Sequence, residues 1–516
     1  MKRLNDNFEN RKEYSIMKSN RIFAWILSVL TVASVMTACG GASDNGTVTE
    51  NAQKESEAVT DAVETKELTE LEKRQRIPDN LPEKDWGGKD FRIICSEEFD
   101  VSEEFWVEEQ NGDQCNDAVY ARNEKIESRF NVNISILPQG TVRDDTPKFF
   151  NTMVLAGDDA AELCAYVDYM AYTPVGAGSC LDWTEIEYVA LDQPWHNKLA
   201  NDGATINGKL FTICSDLSIS SMTYTYALFF NTRITGNYDM AADDLYELVR
   251  TGEWTIDKFI ELTKDLYIDN NGDGKKDEND TYGFGYMICN PADVWLTAFD
   301  QPLTEVQQDG TLALTFMSEK TESALQKIRD YQENSQGFYE YPTQYDEELY
   351  FANGTMAFSP MRFSAAYKAL RDMKDTYSIL PFPKWDAAQE QYLTNADDKF
   401  QVFSVPKTAS DTAFIGMIFE AMSAESYRSV YPAYYDVALK GKYSSDPSTA
   451  EMIDLIMSGR KFDVSFQFGE KHFARLPYLF RDLLLSPSAK LASKWATAEK
   501  SINKKLEDFY SQFADE

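Results

Sequence analysis

Histidine is scarce in this sequence, and its scarcity limits the catalytic chemistry that the chain can support. The 516 residues include only two histidines, His196 and His472, in unrelated contexts. A Ser-His-Asp or Cys-His site needs one of them, no GxSxG turn frames a serine, and no HExxH pair is present. A glycosidase needs only two carboxylates, so with 85 acidic residues that class remains an alternative.

Basic residues are also few. Fifty Lys and Arg stand against 85 Asp and Glu, which gives a net charge of −35. Nucleic-acid binding needs clustered Lys and Arg to neutralise phosphates, so we exclude nucleic acid as a partner. Hydrophobic residues make up 43% of the chain and aromatic residues 13%, and its length leaves room for two or more folded cores.

Paired cysteines are missing as well. None of the seven cysteines lies in a CxxC motif, which argues against a zinc site. One of them, Cys39, belongs to the N-terminal signal described next. The other six fit either extracellular disulfides or buried free thiols, and the sequence leaves both open: Cys95, Cys115, Cys164, Cys180, Cys214 and Cys289.

The N-terminal region has the three parts of a secretion signal. Lys18 and Arg21 give a positive start, residues 22–35 form an apolar run too short to span a membrane comfortably, and Met-Thr-Ala-Cys39 is a small-residue cleavage site. This site resembles a bacterial lipobox, which implies cleavage before Cys39 and a diacylglyceryl group on its sulfur. We expect residues 1–38 to be a signal peptide, with Met17 as the true start. The alternatives are an ordinary signal peptide or a short membrane anchor.

Residues 39–80 are expected to form the lipidated cysteine and a flexible tether. From Gly40 to Asn80 the chain has no aromatic residue and consists mainly of Ser, Thr, Glu, Asp, Asn and Ala. Such a segment buries too little apolar surface to fold. The tether would hold a folded body close to membrane partners, on the outer face of a bacterial cell membrane of the Gram-positive type.

An acidic loop at residues 269–280 has the register of a twelve-residue calcium loop. Acidic or amide side chains stand at positions 1, 3 and 5, a glycine stands at position 6, and a backbone carbonyl is offered at position 7. The candidate ligands are Asp269, Asn271, Asp273, Lys275, Asp277 and Asp280. Asp280 replaces the usual bidentate Glu, and a strand follows where an EF-hand has its second helix. We predict a structural calcium ion, with an acidic surface turn without metal as the alternative.

The folded body follows an α/β pattern from about residue 85. Residues 91–95 and 131–138 read as strands with an amphipathic helix over 115–130 between them. Further strands and helices alternate until the last hundred residues, which are largely helical. Trp254 stands at the entry of a predicted helix and is expected to be a packing residue. In such folds the loops at strand ends face a cleft.

Four segments carry a resemblance to a known family. They are ALFFN (227–231), GEWTIDKFIELTKDL (252–266) with the acidic loop and YGF behind it, FANGTMAF (351–358) and ILPFPK (379–384). With the lipobox, their order and spacing resemble the extracellular solute-binding proteins of family 1, the receptors of ATP-driven importers, many of which bind sugars or oligosaccharides. Phe230 departs from the family pattern, where a tyrosine is common beside the asparagine.

The resemblance implies an α/β fold with two lobes, of the periplasmic-binding-protein-like type II, joined by crossing strands around a ligand cleft. Lobe one would take residues 85–228 and 403–480, and lobe two residues 229–402 and 481–516. The implied function is a membrane-anchored receptor that captures a carbohydrate by hinge closure and delivers it to the permease subunits of an ABC importer. We expect a monomer and no enzymatic activity.

Candidate ligand-binding residues stand at the ends of predicted strands. Aromatic rings stack on sugar faces, and charged or amide side chains pair with hydroxyls. The candidates are Glu97 with its neighbour Glu98, Asp168, Tyr169, Asp216, Tyr224, Trp295, Arg362 and Phe363. Core packing for each ring and a solvated loop for each charge are the alternatives. A surface lipoprotein that binds carbohydrate without transport, or a secreted glycosidase-like enzyme, would be the competing functions.

Overall fold

A computed structural model describes residues 69–140, 142–307, 311–342, 346–435, 446–469 and 473–511. The signal peptide, Cys39 and most of the predicted tether lie outside these residues. No helix among the described residues is long and apolar enough to cross a membrane. The six described cysteines form no disulfide, and all but the half-buried Cys289 are buried, so they are free thiols.

Fourteen strands run through the described residues. They are β1 (Lys89–Cys95), β2 (Val132–Pro138), β3 (Leu163–Val167), β4 (Tyr226–Asn231), β5 (Tyr267–Ile268), β6 (Thr281–Tyr286), β7 (Thr304–Val306), β8 (Leu312–Leu314), β9 (Phe338–Glu340), β10 (Met356–Arg362), β11 (Tyr377–Leu380), β12 (Thr394–Asn395), β13 (Gln401–Ser404) and β14 (Arg460–Lys461).

Helices cover and connect the strands. The α-helices are Glu70–Gln75, Gln114–Phe130, Thr146–Leu155, Tyr172–Gly176, Lys198–Ala204, Ser220–Thr223, Thr232–Gly236, Ala242–Arg250, Ile256–Thr263, Val294–Ala298, Glu319–Asn334, Asp346–Ala352, Ser364–Tyr367, Thr412–Glu425, Pro447–Ser458, Val464–Gln467, Leu479–Leu484 and Leu491–Ser511. A π-helical turn, Ser426–Val430, continues the helix that ends at Glu425.

Two sheets form the centres of two lobes. The first has the order β13-β3-β1-β2, with β1 parallel to both β2 and β3 and with β13 antiparallel to β3. The second has the order β11-β4-β10-β6-β5, with β9 also paired to β6. In this sheet β10 and β9 run parallel to β6, and β4 runs antiparallel to both β10 and β11. Helices cover the strands, as the alternating sequence pattern predicts.

Three chain segments lie side by side where the chain passes between the sheets. Thr225, just before β4, pairs antiparallel with Ala396, and β12 pairs parallel with β14. The Asp397 backbone N–H donates to the Tyr224 carbonyl at 2.9 Å, and Thr394 Oγ1 donates to the Tyr226 carbonyl at 2.8 Å. These crossing segments are short and mutually bonded, so they form the joint between the lobes.

Aromatic packing builds the core of the second lobe. The Phe259 ring meets the Phe284 ring edge-on with centroids 4.9 Å apart. Trp254 is fully buried and donates its indole N–H to the Pro381 carbonyl at 2.9 Å, which confirms its prediction as a packing residue. The helix Ile256–Thr263 begins at Thr255, whose side chain accepts from the Lys258 N–H as an N-cap.

Two boundaries differ from the sequence prediction. The helix Glu70–Gln75 lies inside the predicted tether, where a capping box starts it and the Arg74 guanidinium lies 4.1 Å from the Tyr427 ring. Local capping and a cation–π contact therefore order a segment that lacks aromatic residues of its own. The helix Pro447–Ser458 was predicted in lobe one, but its Ile453 and Ile456 pack in the core around β11, which belongs to the second sheet.

Candidate functional site

In each sheet, some strands end next to the joint between the lobes. Because β1, β2 and β3 are mutually parallel, their carboxyl ends meet at one edge of the first sheet. Asp168 and Tyr169 follow β3 at this edge. On the second sheet, Arg362 ends β10, and the 3₁₀ turn Asn290–Asp293 comes shortly after β6, a strand parallel to β10. The crossing segments run between these two edges.

A buried charge network lies at the joint between the lobes and is called the floor of the joint below. The Asp397 side chain is fully buried, and its Oδ2 accepts from the Tyr226 hydroxyl at 3.1 Å, Asn290 Nδ2 at 3.0 Å and Arg362 Nε at 3.0 Å. The Lys399 ammonium lies 3.7 Å from Oδ1 of Asp397. Burial alone would raise the pKa of Asp397, but the nearby Arg362 and Lys399 charges and the Asn290 bond hold this pKa well below its usual range. Asp397 is therefore a fixed carboxylate at the joint.

One flank of the floor carries a second guanidinium. Arg481 Nη1 donates to Asn290 Oδ1 at 2.8 Å and lies 3.1 Å from Asp293 Oδ2, and its guanidinium sits 4.0 Å from the Tyr478 ring centroid. The Tyr478 hydroxyl donates to Asp398 Oδ2 at 2.8 Å. Burial, with the neighbouring Asp397 charge, raises the pKa of Asp398 to about 6. This flank thus joins the Arg481 guanidinium to a cluster of carboxyls that includes Asp398, whose pKa is raised.

The other flank is rich in tyrosine. The Arg362 guanidinium lies 5.2 Å from the Tyr224 ring centroid, and the Tyr367 and Tyr434 rings meet edge-on at 6.0 Å. Glu104 accepts a hydrogen bond from Ser218 Oγ, and its charge helps to raise the pKa values of the buried Tyr224, Tyr367 and Tyr434 hydroxyls, for which burial is the main cause. Burial raises the pKa of Glu104 to about 7. Rings and carboxyls together are the groups that sugars require.

Lobe one contributes a polar wall. The Tyr169 hydroxyl donates to Asp144, and the Arg143 guanidinium lies 5.9 Å from the Tyr169 ring centroid. The Arg143 backbone N–H donates to Glu98 Oε2 at 2.9 Å, which ties the end of β1 to the segment that follows β2. Glu97 is exposed beside this wall, and its backbone N–H donates to the Gly140 carbonyl at 3.0 Å.

The structure brings together some of the predicted ligand-binding residues. Tyr224 and Arg362 are in contact at the floor, and Tyr169 and Glu97 stand at the facing edge of the first sheet. Asp168 is 2% exposed and lies behind this edge, where burial and the Asp398 charge raise its pKa well above its usual range. It is buried at the joint between the lobes, where it lines a small cavity with Asn395 and Asp398.

Three further predicted ligand-binding residues lie outside the Asp397 network. Trp295 is 1% exposed and donates its indole N–H to the Tyr286 hydroxyl at 3.2 Å, so it is a core residue of lobe two. Phe363 is also 1% exposed and packs in the core beside β11. Asp216 is half-buried, and burial raises its pKa to about 7 against the opposing effect of the Arg74 and Arg460 charges. Trp295 and Phe363 stand near strand ends in the sequence, but their side chains pack in the core.

Several site residues escaped the sequence prediction. Asp397, Asn290 and Tyr226 lie on three separate segments, and Tyr478 and Arg481 share a fourth, so only the folded register brings them together. One sequence signal could have identified Asp397: it belongs to a charged triplet, residues 397–399, that stands shortly before strand β13. His196 is buried and bonds Glu420 through Nε2 at 2.8 Å within lobe one, and His472 lies outside the described residues.

The acidic loop is well ordered by its own hydrogen bonds. Asp269 accepts from the Gly272 N–H at 2.7 Å and the Gly274 N–H at 2.8 Å, and Gly274 has a φ of +75° that suits glycine. Asp280 is fully buried and accepts from the Asn270 N–H and the Tyr267 hydroxyl. The oxygen donors suit calcium chemically, but within the described part of the chain no three acidic, histidine or cysteine groups converge as metal ligands.

Comparison with solved structures identifies the fold. A cyclo/maltodextrin-binding protein in complex with maltotetraose superposes with a TM-score of 0.54 at 13% identity, covering 81% of this chain and 97% of that one. An ABC substrate-binding protein from Listeria monocytogenes in complex with cycloalternan gives a TM-score of 0.50 at 14% identity, covering 81% and 99%. A scan against protein-family models gave no match, and a search of curated proteins gave no similar sequence. The chain therefore has the two-lobed α/β fold of periplasmic solute-binding proteins, as its sequence predicts.

Proposed function

We propose that this protein is a carbohydrate receptor that encloses its ligand between the two lobes. The observation that carries the proposal is the charge network at the joint, where the Arg362–Asp397 pair lies between a tyrosine-rich flank and the Arg481 flank. Tyrosine rings offer apolar faces for sugar rings, and charged groups pair with the hydroxyls around them. The sugar ligands in the two similar structures support this choice of ligand class.

The crossing segments supply the hinge in this proposal. Ligand that contacts both lobes favours the closed arrangement by its differential affinity for that state. Because β12 and β14 are only two residues long and pair with each other, small backbone changes there would reorient a whole lobe. The Asp397 network joins lobe two to a crossing segment and would keep the hinge in register as it moves.

The proposal extends to transport. A lipid on Cys39 would anchor the receptor at the outer face of the membrane, where ABC permease subunits would recognise the closed, loaded monomer. The support is the lipobox-like sequence and the polar segment behind it. Metabolic labelling with a palmitate analogue, compared between wild type and Cys39→Ser, tests the anchor directly.

A thermal-unfolding screen against mono- and oligosaccharides tests the ligand class. A sugar that binds only the native state at a hundred times its dissociation constant adds about 2.7 kcal/mol of stability, which is readily detected. Tyr224→Ala should weaken binding of that sugar by more than about tenfold, since it removes a ring at the floor of the joint. The matched control is Tyr238→Ala, at an exposed tyrosine on lobe two. Equal affinities of the two variants would contradict the proposed site.

Product analysis separates a receptor from a glycosidase. A receptor returns its sugar intact after prolonged incubation, whereas a glycosidase releases shorter sugars. A surface lipoprotein that binds carbohydrate without transport would bind with no change in overall dimensions.

A structural calcium ion in the 269–280 loop is a second part of the proposal. The loop supplies oxygen donors in the calcium-loop register, and ion binding would draw the side chains of Asp273 and Asp277 inward. Calcium should raise the unfolding temperature of wild type and leave Asp269→Asn unchanged, with chelator as the reference state. The control is Asp257→Asn, an exposed acidic residue of the same lobe. If calcium shifts neither protein, the loop is a metal-free turn.

A further inference from the structure

A second cavity lies beside the crossing strands, apart from the ligand cleft. Its volume is about 650 Å³, and three segments line it: the end of the helix Ala242–Arg250, residues 384–392 and the helix Pro447–Ser458 with Gly459. None of these residues belongs to the Asp397 network or to the tyrosine-rich flank. Tyr392 and Gly459 stand just before β12 and β14, so the cavity is lined by residues that directly precede two strands at the joint.

Lys384 brings a buried positive charge to this cavity. The residue is only 4% exposed, and its ammonium donates one hydrogen bond, to the Gln389 carbonyl at 2.8 Å. No carboxylate of the described residues lies within ion-pair distance of it. An ammonium has three donors, and a buried charge without a counter-charge is costly. The Tyr392 ring centroid, 5.3 Å from the ammonium, supplies only partial compensation.

The surrounding residues make room for this ammonium without pairing with it, since Glu390 also lines the cavity but forms no ion pair with Lys384. Gly252 has a φ of +75°, and a Cβ there would lie 3.0 Å from the Lys384 ammonium, so glycine opens the space that the charge occupies. Arg250 and Glu451 line the same cavity, but they neutralise each other at 2.6 Å. The end of the helix Ala242–Arg250 favours a nearby cation through its dipole, yet it leaves the remaining ammonium donors unused.

We propose that this cavity is a binding site for a small oxyanion, a carboxylate or phosphate group, with Lys384 as its charged partner. The ammonium has donors to offer, and an anion would supply the missing counter-charge. A bound anion would contact the residues that precede β12 and β14, so its binding would also affect the joint between the lobes. The site is independent of the proposed carbohydrate cleft, because the two share no residue.

Thermal unfolding of the full chain in inorganic phosphate and in citrate, against sodium chloride of equal ionic strength, tests this proposal without any sugar. Wild type should gain a few degrees in unfolding temperature at saturating phosphate or citrate. Lys384→Met should lose this gain, and Lys384→Arg should retain it because the charge is kept. The matched control is Lys264→Met, at a half-exposed lysine of the same lobe.

Calorimetric titration of phosphate and of citrate into the same proteins checks binding where a variant has altered stability. A response to one of them assigns phosphate or carboxylate as the bound group. Equal gains in wild type and Lys384→Met would overturn the proposal, because the effect would then be a general one of the salt. Absence of any gain in wild type at tens of millimolar anion would overturn it as well.

Discussion

At the scale of single residues, Asp397 and Arg362 determine the character of the cleft. The Asp397 carboxylate is completely buried, and the Arg362 side chain is 13% exposed. A buried ion pair contributes little net stability, because desolvation offsets attraction, but removal of one partner leaves an unpaired buried charge. The pair is therefore better explained by a role in positioning groups at the joint than by a gain in stability.

Arg362→Met tests the cost of unpairing Asp397. We expect the free energy of unfolding to fall by about 3–5 kcal/mol, measured by chemical denaturation, and Arg362→Met with Asp397→Asn to recover part of the loss. The control is Lys198→Met, which breaks an exposed pair with Asp202 and should cost no more than about 1 kcal/mol. A cost for Arg362→Met equal to that of the control would show that Asp397 is not held as a buried carboxylate.

Glu104 makes stability depend on pH. Burial raises its pKa from the ordinary 4.5 to about 7, so the folded protein holds this proton more tightly than the unfolded chain does. Its contribution is present below about pH 4.5 and is lost as pH rises through about 7. Across this pH range, Glu104→Gln should reduce the number of protons that are released on unfolding by about one.

Denaturant titrations at several pH values between 4.5 and 8 measure this dependence. Glu261→Gln is the control, because that side chain is 64% exposed. Parallel profiles for wild type and Glu104→Gln would contradict a raised pKa at Glu104.

At the scale of elements, the residue that ends strand β4 shows how one side chain can connect a strand, a helix and a loop. Asn231 ends β4 and is fully buried. Its Oδ1 accepts from the Arg233 and Ile234 N–H groups and so caps the helix Thr232–Gly236, while its Nδ2 donates to Asp375 at 2.9 Å. One amide thus ends a strand, starts a helix and holds a neighbouring loop.

Asn231→Ala should cost more than an ordinary helix cap, about 2–3 kcal/mol, because two backbone N–H groups lose their acceptor and Asp375 keeps only its ion pair with Arg233. Asn197→Ala is the control, since Asn197 caps the helix Lys198–Ala204 at a half-buried position and should cost about 1 kcal/mol. Equal losses in denaturant unfolding would mean that the contact with Asp375 adds nothing.

The elements themselves were largely predictable. Thr255 as an N-cap, the helix near residues 115–130 and the strand after the acidic loop all follow from local pattern. The helix Pro447–Ser458 was assigned to the wrong lobe, because an amphipathic pattern predicts a buried face without saying which sheet buries it. The helix Glu70–Gln75 was missed, since it docks through Arg74 on a distant π-helical turn.

At the scale of the whole molecule, the two lobes and their crossing segments were expected from the sequence, but only part of the composition of the cleft was, namely Tyr224 and Arg362. Tyr226, Asn290, Arg362 and Asp397 meet only because β4 pairs with β10 and the 396–397 segment pairs with residues 224–225. The spacing of these residues in the sequence does not indicate which strands pair or in which register. Trp295 and Phe363 show the converse, since a ring near a strand end can point into the core.

Solution scattering would show whether the two lobes close around a carbohydrate. The sample is the protein with and without a saturating sugar chosen by the unfolding screen. We predict that the radius of gyration falls on binding, and that Tyr224→Ala requires more sugar for the same change. Binding of the sugar with an unchanged radius of gyration would contradict closure, and failure of every carbohydrate to bind would contradict the proposed ligand class.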